Sequence, residues 1–369
     1  MKTTTICKSV VVLALLTLFL TSGVIAKTVQ VGTCLPNQQT YSTVSLAVSN
    51  VPPDSTVLVC PGNYPEQVTI TQPLTLRGVQ AGNAANPTIT VPPGGLTRTV
   101  VTSGGLIYYQ LLAQGTGSES VNISNIGIDG SNNRVPTGSA IVGVYYRNAS
   151  GKVNETAIYD QLGSGGGVGM VLEGTHASTI TITVLGNSIH DFDGVGGVLV
   201  FGNVVASIRA NDVVTSSSFS GSAAPNGIGF VGAGAGGTVA DNRVISHPQP
   251  PGISAGAGIE VESNVAIINN TVEGFTIGIW PLGDSNKVTS NRVSQVGFGI
   301  PIHGSNNDVE HNHLFNMVEG IGLNCSSSGN IVIHNVINNV YFGIVEPHGT
   351  DTFAPNTFSN VANILSPPC

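Results

Sequence analysis

From residue 187 to the C-terminus the chain carries three interleaved repeats that share one period. Asn followed two residues later by Val, Ile, Leu or Phe recurs at Asn187, Asn211, Asn242, Asn270, Asn291, Asn312, Asn335 and Asn356. A Gly-Ile pair begins at Gly227, Gly258, Gly278, Gly299, Gly320 and Gly343, and a second asparagine series at Asn264, Asn286, Asn307 and Asn330. The later steps in each series are 20 to 23 residues. Three landmarks in so short a period leave room for three short strands and their turns, with no room for a helix. Strands such as Ile-Pro-Ile cannot bury an apolar face alone. Coiling the chain solves this, because each strand then stacks on its counterpart one turn later at ~4.8 Å. All pairing becomes parallel, and the inward residues form Val and Ile columns. Asn suits one corner because its amide can bond the neighbour above and below, and it tolerates a left-handed backbone.

Composition fits this reading and excludes others. Only 9% of residues are charged, too few for the exposed faces of a helical bundle. Twelve Lys and Arg against 20 Asp and Glu give a net charge of −8, the opposite of a nucleic-acid footprint. Abundant Val, Ile and Leu argue against disorder. A leucine-rich or helical repeat would need Leu periodicity or helix formers that the segment lacks. The expected fold is an all-β, single-stranded parallel β-helix with three sheets.

The N-terminus has the order of a secretory signal. Lys2 and Lys8 precede an apolar stretch from Val10 to Leu20, and Val24-Ile25-Ala26 offers small residues for cleavage. The apolar run is short of the ~20 residues a membrane span needs. Cleavage after residue 26 is expected, with a secreted or periplasmic product that has no membrane attachment. Of the four later cysteines, Cys34 and Cys60 lie near one end of the chain and Cys325 and Cys369 near the other. Three connectivities are open to four cysteines; Cys34–Cys60 with Cys325–Cys369 is the economical one. No close Cys-x-x-Cys pair suggests zinc.

From about residue 165 onward, these repeats make the chain resemble the right-handed parallel β-helix proteins of the pectin lyase-like superfamily. Val57-Leu58-Val59-Cys60-Pro61-Gly62-Asn63-Tyr64-Pro65-Glu66-Gln67-Val68-Thr69-Ile70 and Pro73-Leu74-Thr75-Leu76-Arg77-Gly78 resemble the first coils of that superfamily. Before them Val44, Ala47, Val48 and Val51 fall at helical spacing, as in a short amphipathic helix capping the open end. The expected organisation is a signal over 1–26, a cap over 27–56 and the right-handed β-helix over 57–369. Residues 79 to 165 read as less regular early coils with long loops. The resemblance implies a substrate groove along the Gly-Ile sheet, walled by long corner loops.

Individual enzyme families match less well. Gly62-Asn63-Tyr64-Pro65-Glu66 is similar to the opening of pectin methylesterases, but the catalytic Gln-Asp-Thr and Leu-Gly-Arg segments are missing, so Tyr64 and Glu66 are read as structural. Glu346-Pro347-His348-Gly349 is similar to the Asp-Pro-His-Asp motif of mannuronan epimerases at Pro347 and His348 only. The polygalacturonase segments Asn-Thr-Asp, Asp-Asp and Arg-x-Lys are absent. A calcium-dependent lyase would need clustered Asp ligands and a basic residue to take the proton. No such cluster stands out, so no cofactor is expected, and calcium lacks a clear ligand set.

Strand alternation nominates the residues a bound polymer would meet. With the Ile of each Gly-Ile pair inward, Glu260 and Trp280 point outward, and two residues further on so do Glu262, His303 and Asn324. Glu260 and Glu262 fall ~7 Å apart on one face, where a carboxylate pair can divide acid and base roles. His303, two rungs away, is a candidate proton shuttle. His348 extends the catalytic set. Trp280, the only Trp, offers a ring for sugar stacking, with Asn324, Asp191 and Asp193 as further binding residues. His311, His313 and His334 sit near equivalent corners, but Asp241, Asn269, Ser290 and Pro355 share their column, which reads as a polar stack rather than a metal site. The function expected is a secreted, carbohydrate-engaging protein, monomeric, with a polysaccharide or oligosaccharide partner and no nucleic acid. Lyase, epimerase and hydrolase chemistry stay open, as does a non-catalytic structural or glycan-binding role.

Overall fold

A computed structural model describes residues 25–80, 86–102, 105–216, 225–247, 256–345 and 350–365. Most of the expected signal, together with His348 and Cys369, lies outside them. The strands stack coil on coil into a 13-stranded sheet and a 22-stranded one. The larger sheet folds across a corner and so forms two faces, since long strands such as His313–Leu323 and Val336–Val345 run through both. One of these faces holds the Gly-Ile strands. Pairing between successive coils is parallel, and the exception among the described strands is the antiparallel hairpin of Thr99–Thr102 with Gly105–Gln114.

The interior consists of three aliphatic columns, one behind each face. Val184, Ile208, Val239, Ile267, Val288, Val309 and Val332 stack in register and are fully buried. Ile228, Ile259, Ile279, Ile300, Ile321 and Ile344 line the Gly-Ile face from inside. Ile158, Ile189, Val213, Val244, Val272, Val293, Leu314 and Ile337 form the third. Each side chain removed from water contributes roughly 1.5–3 kcal/mol, so the columns dominate the stability of the coil.

The asparagines form a hydrogen-bonded ladder. In each coil the Asn backbone N–H and side-chain Nδ2 both donate to Oδ1 of the next Asn, at 2.9 and 3.0 Å from Asn291 to Asn312. The left-handed residue at this corner is not the ladder Asn but the one before it: Asp241, Asn269, Ser290, His311 and His334 have φ of 54–60°. This corrects the expectation that Asn itself takes the left-handed turn. It also explains the mixed column, because the αL position points its side chain to solvent and asks only for a residue that accepts the backbone. The second ladder runs Asn286, Asn307 and Asn330 and ends on Asp351, whose Oδ1 accepts from Asn330 N at 2.7 Å. Asn264 is not in it. It occupies the αL position at φ 60°, and the N–H of Val265 donates to Asn286 in its place.

The glycines form a column three coils longer than the Gly-Ile pairs suggest. Gly143, Gly169 and Gly197, followed by Val144, Met170 and Val198, precede Gly227 in register. A methyl group on Gly169 would sit 2.4 Å from Ile189 Cγ2 and 2.6 Å from the carbonyl oxygen of Gly197. The coils from residue 120 onward are therefore regular, and the irregularity expected up to residue 165 is confined to their loops.

Helix α1, Val44–Asn50, closes the N-terminal end and buries Val44, Ala47 and Val48. Thr43 caps it, and the Glu66 carboxylate accepts from the N–H groups of Val44 and Ser45 at 2.8 Å each. An acidic group there also complements the helix dipole. The Tyr64 hydroxyl donates to the Cys60 carbonyl at 2.7 Å. Both residues thus have structural partners. Strand Thr28–Val31 already pairs with Ser55–Val59, so the sheet begins before the helix. Cys34 and Cys60 are bonded, closing a 26-residue separation, and Cys325 is also disulfide-bonded. By chain-entropy arguments the Cys34–Cys60 link is worth about 3 kcal/mol. Cys34→Ser with Cys60→Ser should lower the urea midpoint accordingly, and an unchanged midpoint would show that the cap does not depend on the bond.

Candidate functional site

The outward side of the Gly-Ile face carries two columns. In the first, Tyr145, Val171, Leu199, Gly229, Glu260 and Trp280 stand in register. In the second, Arg147, Glu173, Phe201 and Val231 stack likewise. The second column continues through Glu262, Leu282, His303 and Asn324, whose backbone N–H groups each bond a carbonyl one coil earlier at 2.9–3.1 Å. The structure therefore brings Glu260, Glu262, Trp280, His303 and Asn324 onto one face. Trp280 and His303 meet edge to face with ring centroids 5.4 Å apart. A cleft of about 290 Å³ opens beside them, lined by Pro301, His303, Glu319, Gly322, Asn324 and Val345.

Glu260 is half-buried. Asn226 Nδ2 donates to its Oε2 at 2.7 Å, and Asn226 is itself held by the N–H of Ala257. Burial raises the Glu260 pKa and the nearby Glu262 carboxylate raises it further, while the Asn226 hydrogen bond works against both. The sign of the linkage follows. A carboxyl whose folded pKa lies above its unfolded value favours the fold below the unfolded pKa, and that contribution is lost as pH rises through the folded pKa. Glu260→Gln should therefore leave the melting temperature near wild type at about pH 4 and raise it at about pH 7. A difference independent of pH would show that Glu260 is not under this strain.

Other nominated residues sit elsewhere. Asp193 is fully buried, and its Oδ1 accepts from the N–H groups of Gly163 and Gly167 at 3.1 and 2.8 Å. That carboxylate holds a corner together and is not presented to a ligand, which corrects its reading as a binding residue. Asp191 lies on the neighbouring face, at an αL position, with its carboxylate 2.6 Å from His190 Nδ1. His190 stacks on Tyr159 there, away from the Gly-Ile groove. Asn324 borders the cleft, but its Oδ1 accepts from Ser326 N and Ser326 Oγ and so also shapes its own turn. His311 and His334 stack at 5.0 Å on the αL column. Among the described residues no group of three or more His, Cys, Asp or Glu is placed to hold a metal ion.

A family profile described as "Right handed beta helix region" matches residues 197–358. The chain folds as a right-handed parallel β-helix. Solved structures with similar folds include the Dettilon tailspike protein, at 15% identity and TM-score 0.52, over 84% of this β-helix protein and 62% of the tailspike chain. The A-module of a mannuronan C-5 epimerase from Azotobacter vinelandii matches at 15% identity and TM-score 0.42, over 86% of this chain and 92% of that one. A DFA-IIIase from Arthrobacter chlorophenolicus matches at 15% identity and TM-score 0.48, over 76% and 84% respectively. At such identities the likeness is one of fold. No curated protein sequence matches the chain.

The β-helix protein adds two residues to the site that the sequence did not nominate. Glu319 stands at the corner before its Gly-Ile pair and reaches over Gly322, where an added Cβ would lie 2.1 Å from Glu319 Oε1. Counting outward positions only after each Ile passes over it. Asn226 reaches Glu260 from the preceding coil. Its signal, an Asn-Gly-Ile run, is visible only once the coils are in register.

Proposed function

We propose that this β-helix protein is exported and binds a polysaccharide along the Gly-Ile face, over the coils from Glu260 to Asn324. The observation that carries this reading is the half-buried Glu260 carboxylate, held by Asn226 in register with the lone Trp ring, which packs against His303. An aromatic ring flanked by hydrogen-bonding groups on an open, continuous face suits the mixed apolar and hydroxylated surface of a sugar. The Cys34–Cys60 disulfide supports an oxidising compartment. Among the described residues no helix is long and apolar enough to cross a membrane. A raised carboxyl pKa suits a general acid, and Glu260 is the residue to test in that role. Glu262 and His303 are its candidate partners. A non-catalytic glycan-binding role is the second reading, favoured by Glu260 and Glu262 standing on one strand and hence on the same side of a bound chain.

The decisive experiment incubates the protein with a panel of neutral and acidic polysaccharides and measures binding alongside new reducing or unsaturated ends. Trp280→Ala should weaken binding by about tenfold or more, or ~1.4 kcal/mol. Glu260→Gln should abolish product formation while leaving binding within about threefold, under 1 kcal/mol. Binding without product would select the second reading. Binding unaffected by Trp280→Ala would remove the site from this face.

A further inference from the structure

Upstream of the acidic coils the same face changes chemistry. Tyr109, Leu112, Val142, Tyr145, Val168, Val171 and Leu199 form an apolar cluster separate from the solenoid interior, with Ile107 and Phe201 packed on it. Within it opens a cleft of about 350 Å³ whose walls include Val142, Tyr145, Val171, Leu199 and Phe201, with Glu173 at its polar edge. The geometry points to a binding site in this cleft for a neutral aryl group that bears a hydroxyl.

The residues set each part of that description. The floor is formed by the closely packed side chains of stacked strands, Val142 on Val168 and Tyr145 on Val171 on Leu199. A planar ring covers such a floor with the least loss of conformational freedom, and the volume falls at the small end of ligand pockets, which suits one or two rings. Two polar side chains lining the cleft are coupled: the Tyr145 hydroxyl donates to Glu173 Oε2, which Arg147 Nε also contacts at 3.2 Å. Arg147, which does not line the cleft, is engaged by Glu173, and no cation lines it among the described residues. An anionic ligand would find no partner. With Oε2 taken by both protein donors, Oε1 is the acceptor left to a ligand, so the matching ligand group is a donor. Burial, followed by the Glu173 hydrogen bond and charge, raises the Tyr145 pKa and keeps that hydroxyl a donor at neutral pH.

The site lies in the coils preceding Glu260 and stands independently of the glycan reading. The test titrates the full protein with 2-naphthol, naphthalene and 2-naphthoate, following ligand fluorescence. Saturable binding of 2-naphthol is expected, with 2-naphthoate at least tenfold weaker. Glu173→Gln should weaken 2-naphthol by about fivefold or more and leave naphthalene unchanged, because the amide turns its oxygen to Arg147 and Tyr145 and its NH₂ to the ligand. Leu199→Asp should abolish binding of both neutral probes. Should that variant fail to fold, Val195→Asp decides instead, since Val195 is 45% exposed at the rim and tolerates a charge there. Trp280→Ala should change nothing. No saturation by 2-naphthol, no effect of Glu173→Gln, or loss of binding in Trp280→Ala would each overturn the proposal.

Discussion

Replacing Asn291 by Ala should destabilise the protein by about 4 kcal/mol, although the residue is buried at a corner outside the Gly-Ile groove. Asn291 Oδ1 accepts from both N and Nδ2 of Asn270, at 2.9 and 3.0 Å. Its Nδ2 donates to the carbonyls of Ile267 and Thr289 and to Asn312 Oδ1. The two accepted bonds and the two that the Nδ2 hydrogens can make at once contribute about 1 kcal/mol net each, about 4 together, and the buried Asn270 N–H left without an acceptor makes this a lower bound. Because coils contact only their neighbours, the loss should open locally before it spreads. Hydrogen exchange should show the Asn270 and Asn291 amides losing protection first. Asn363→Ala, on the exposed last strand, should stay within about 0.5 kcal/mol. If the two substitutions cost the same, the ladder is ornamental.

Gly278→Val should also be strongly destabilising, by a different route. A Cβ at Gly278 would lie 2.3 Å from Val293 Cγ1 and 2.6 Å from the Gly299 carbonyl oxygen. Neither neighbour can withdraw. Val293 belongs to the buried third column, and the carbonyl belongs to the adjacent coil's backbone. Overpacking usually costs ~1–3 kcal/mol, and here it meets backbone as well as side chain, so a loss above about 3 is expected. Thermal unfolding measures it, with Gly232→Ala as the contrast. At Gly232 the space is open but φ is +83°, so only the backbone penalty of about 1 kcal/mol remains. Equal losses at the two positions would show that the column is not tightly stacked.

The fold was legible because its corners repeat. Eight asparagines and six Gly-Ile pairs mark the same places in successive coils, and each marker answers a local demand for an amide or for a missing side chain. The reading failed where the demand is met by another residue. Val144, Met170 and Val198 in place of Ile hid three coils, and the αL residue Asn264 stood in for a ladder position that Val265 fills. The outward face was legible for Glu260, Glu262, Trp280, His303 and Asn324, since alternation is a property of the strand alone. Asp193 was misplaced because the amides that capture it belong to Gly163 and Gly167, in the preceding coil. Glu319 and Asn226 sit at corners, where alternation does not say which way a side chain turns.

Stacking in register also makes the molecule a ruler. Along the axis, positions on the Gly-Ile face exist only in whole rungs of ~4.8 Å, and Leu199 stands two rungs from Glu260 with the bare Gly229 between them. The distance between the apolar cleft and the acidic coils is therefore quantised. No shift of a side chain can tune it finely, whereas deleting the one complete coil between them, residues 211–241, would shorten the ruler by a single graduation. The asparagine and glycine columns would close over such a deletion, because the flanking coils present the same acceptors and the same gaps. Variation in chain length within such a scaffold is then expected in coil-sized steps, each moving surface features on either side of the change by the same fixed increment.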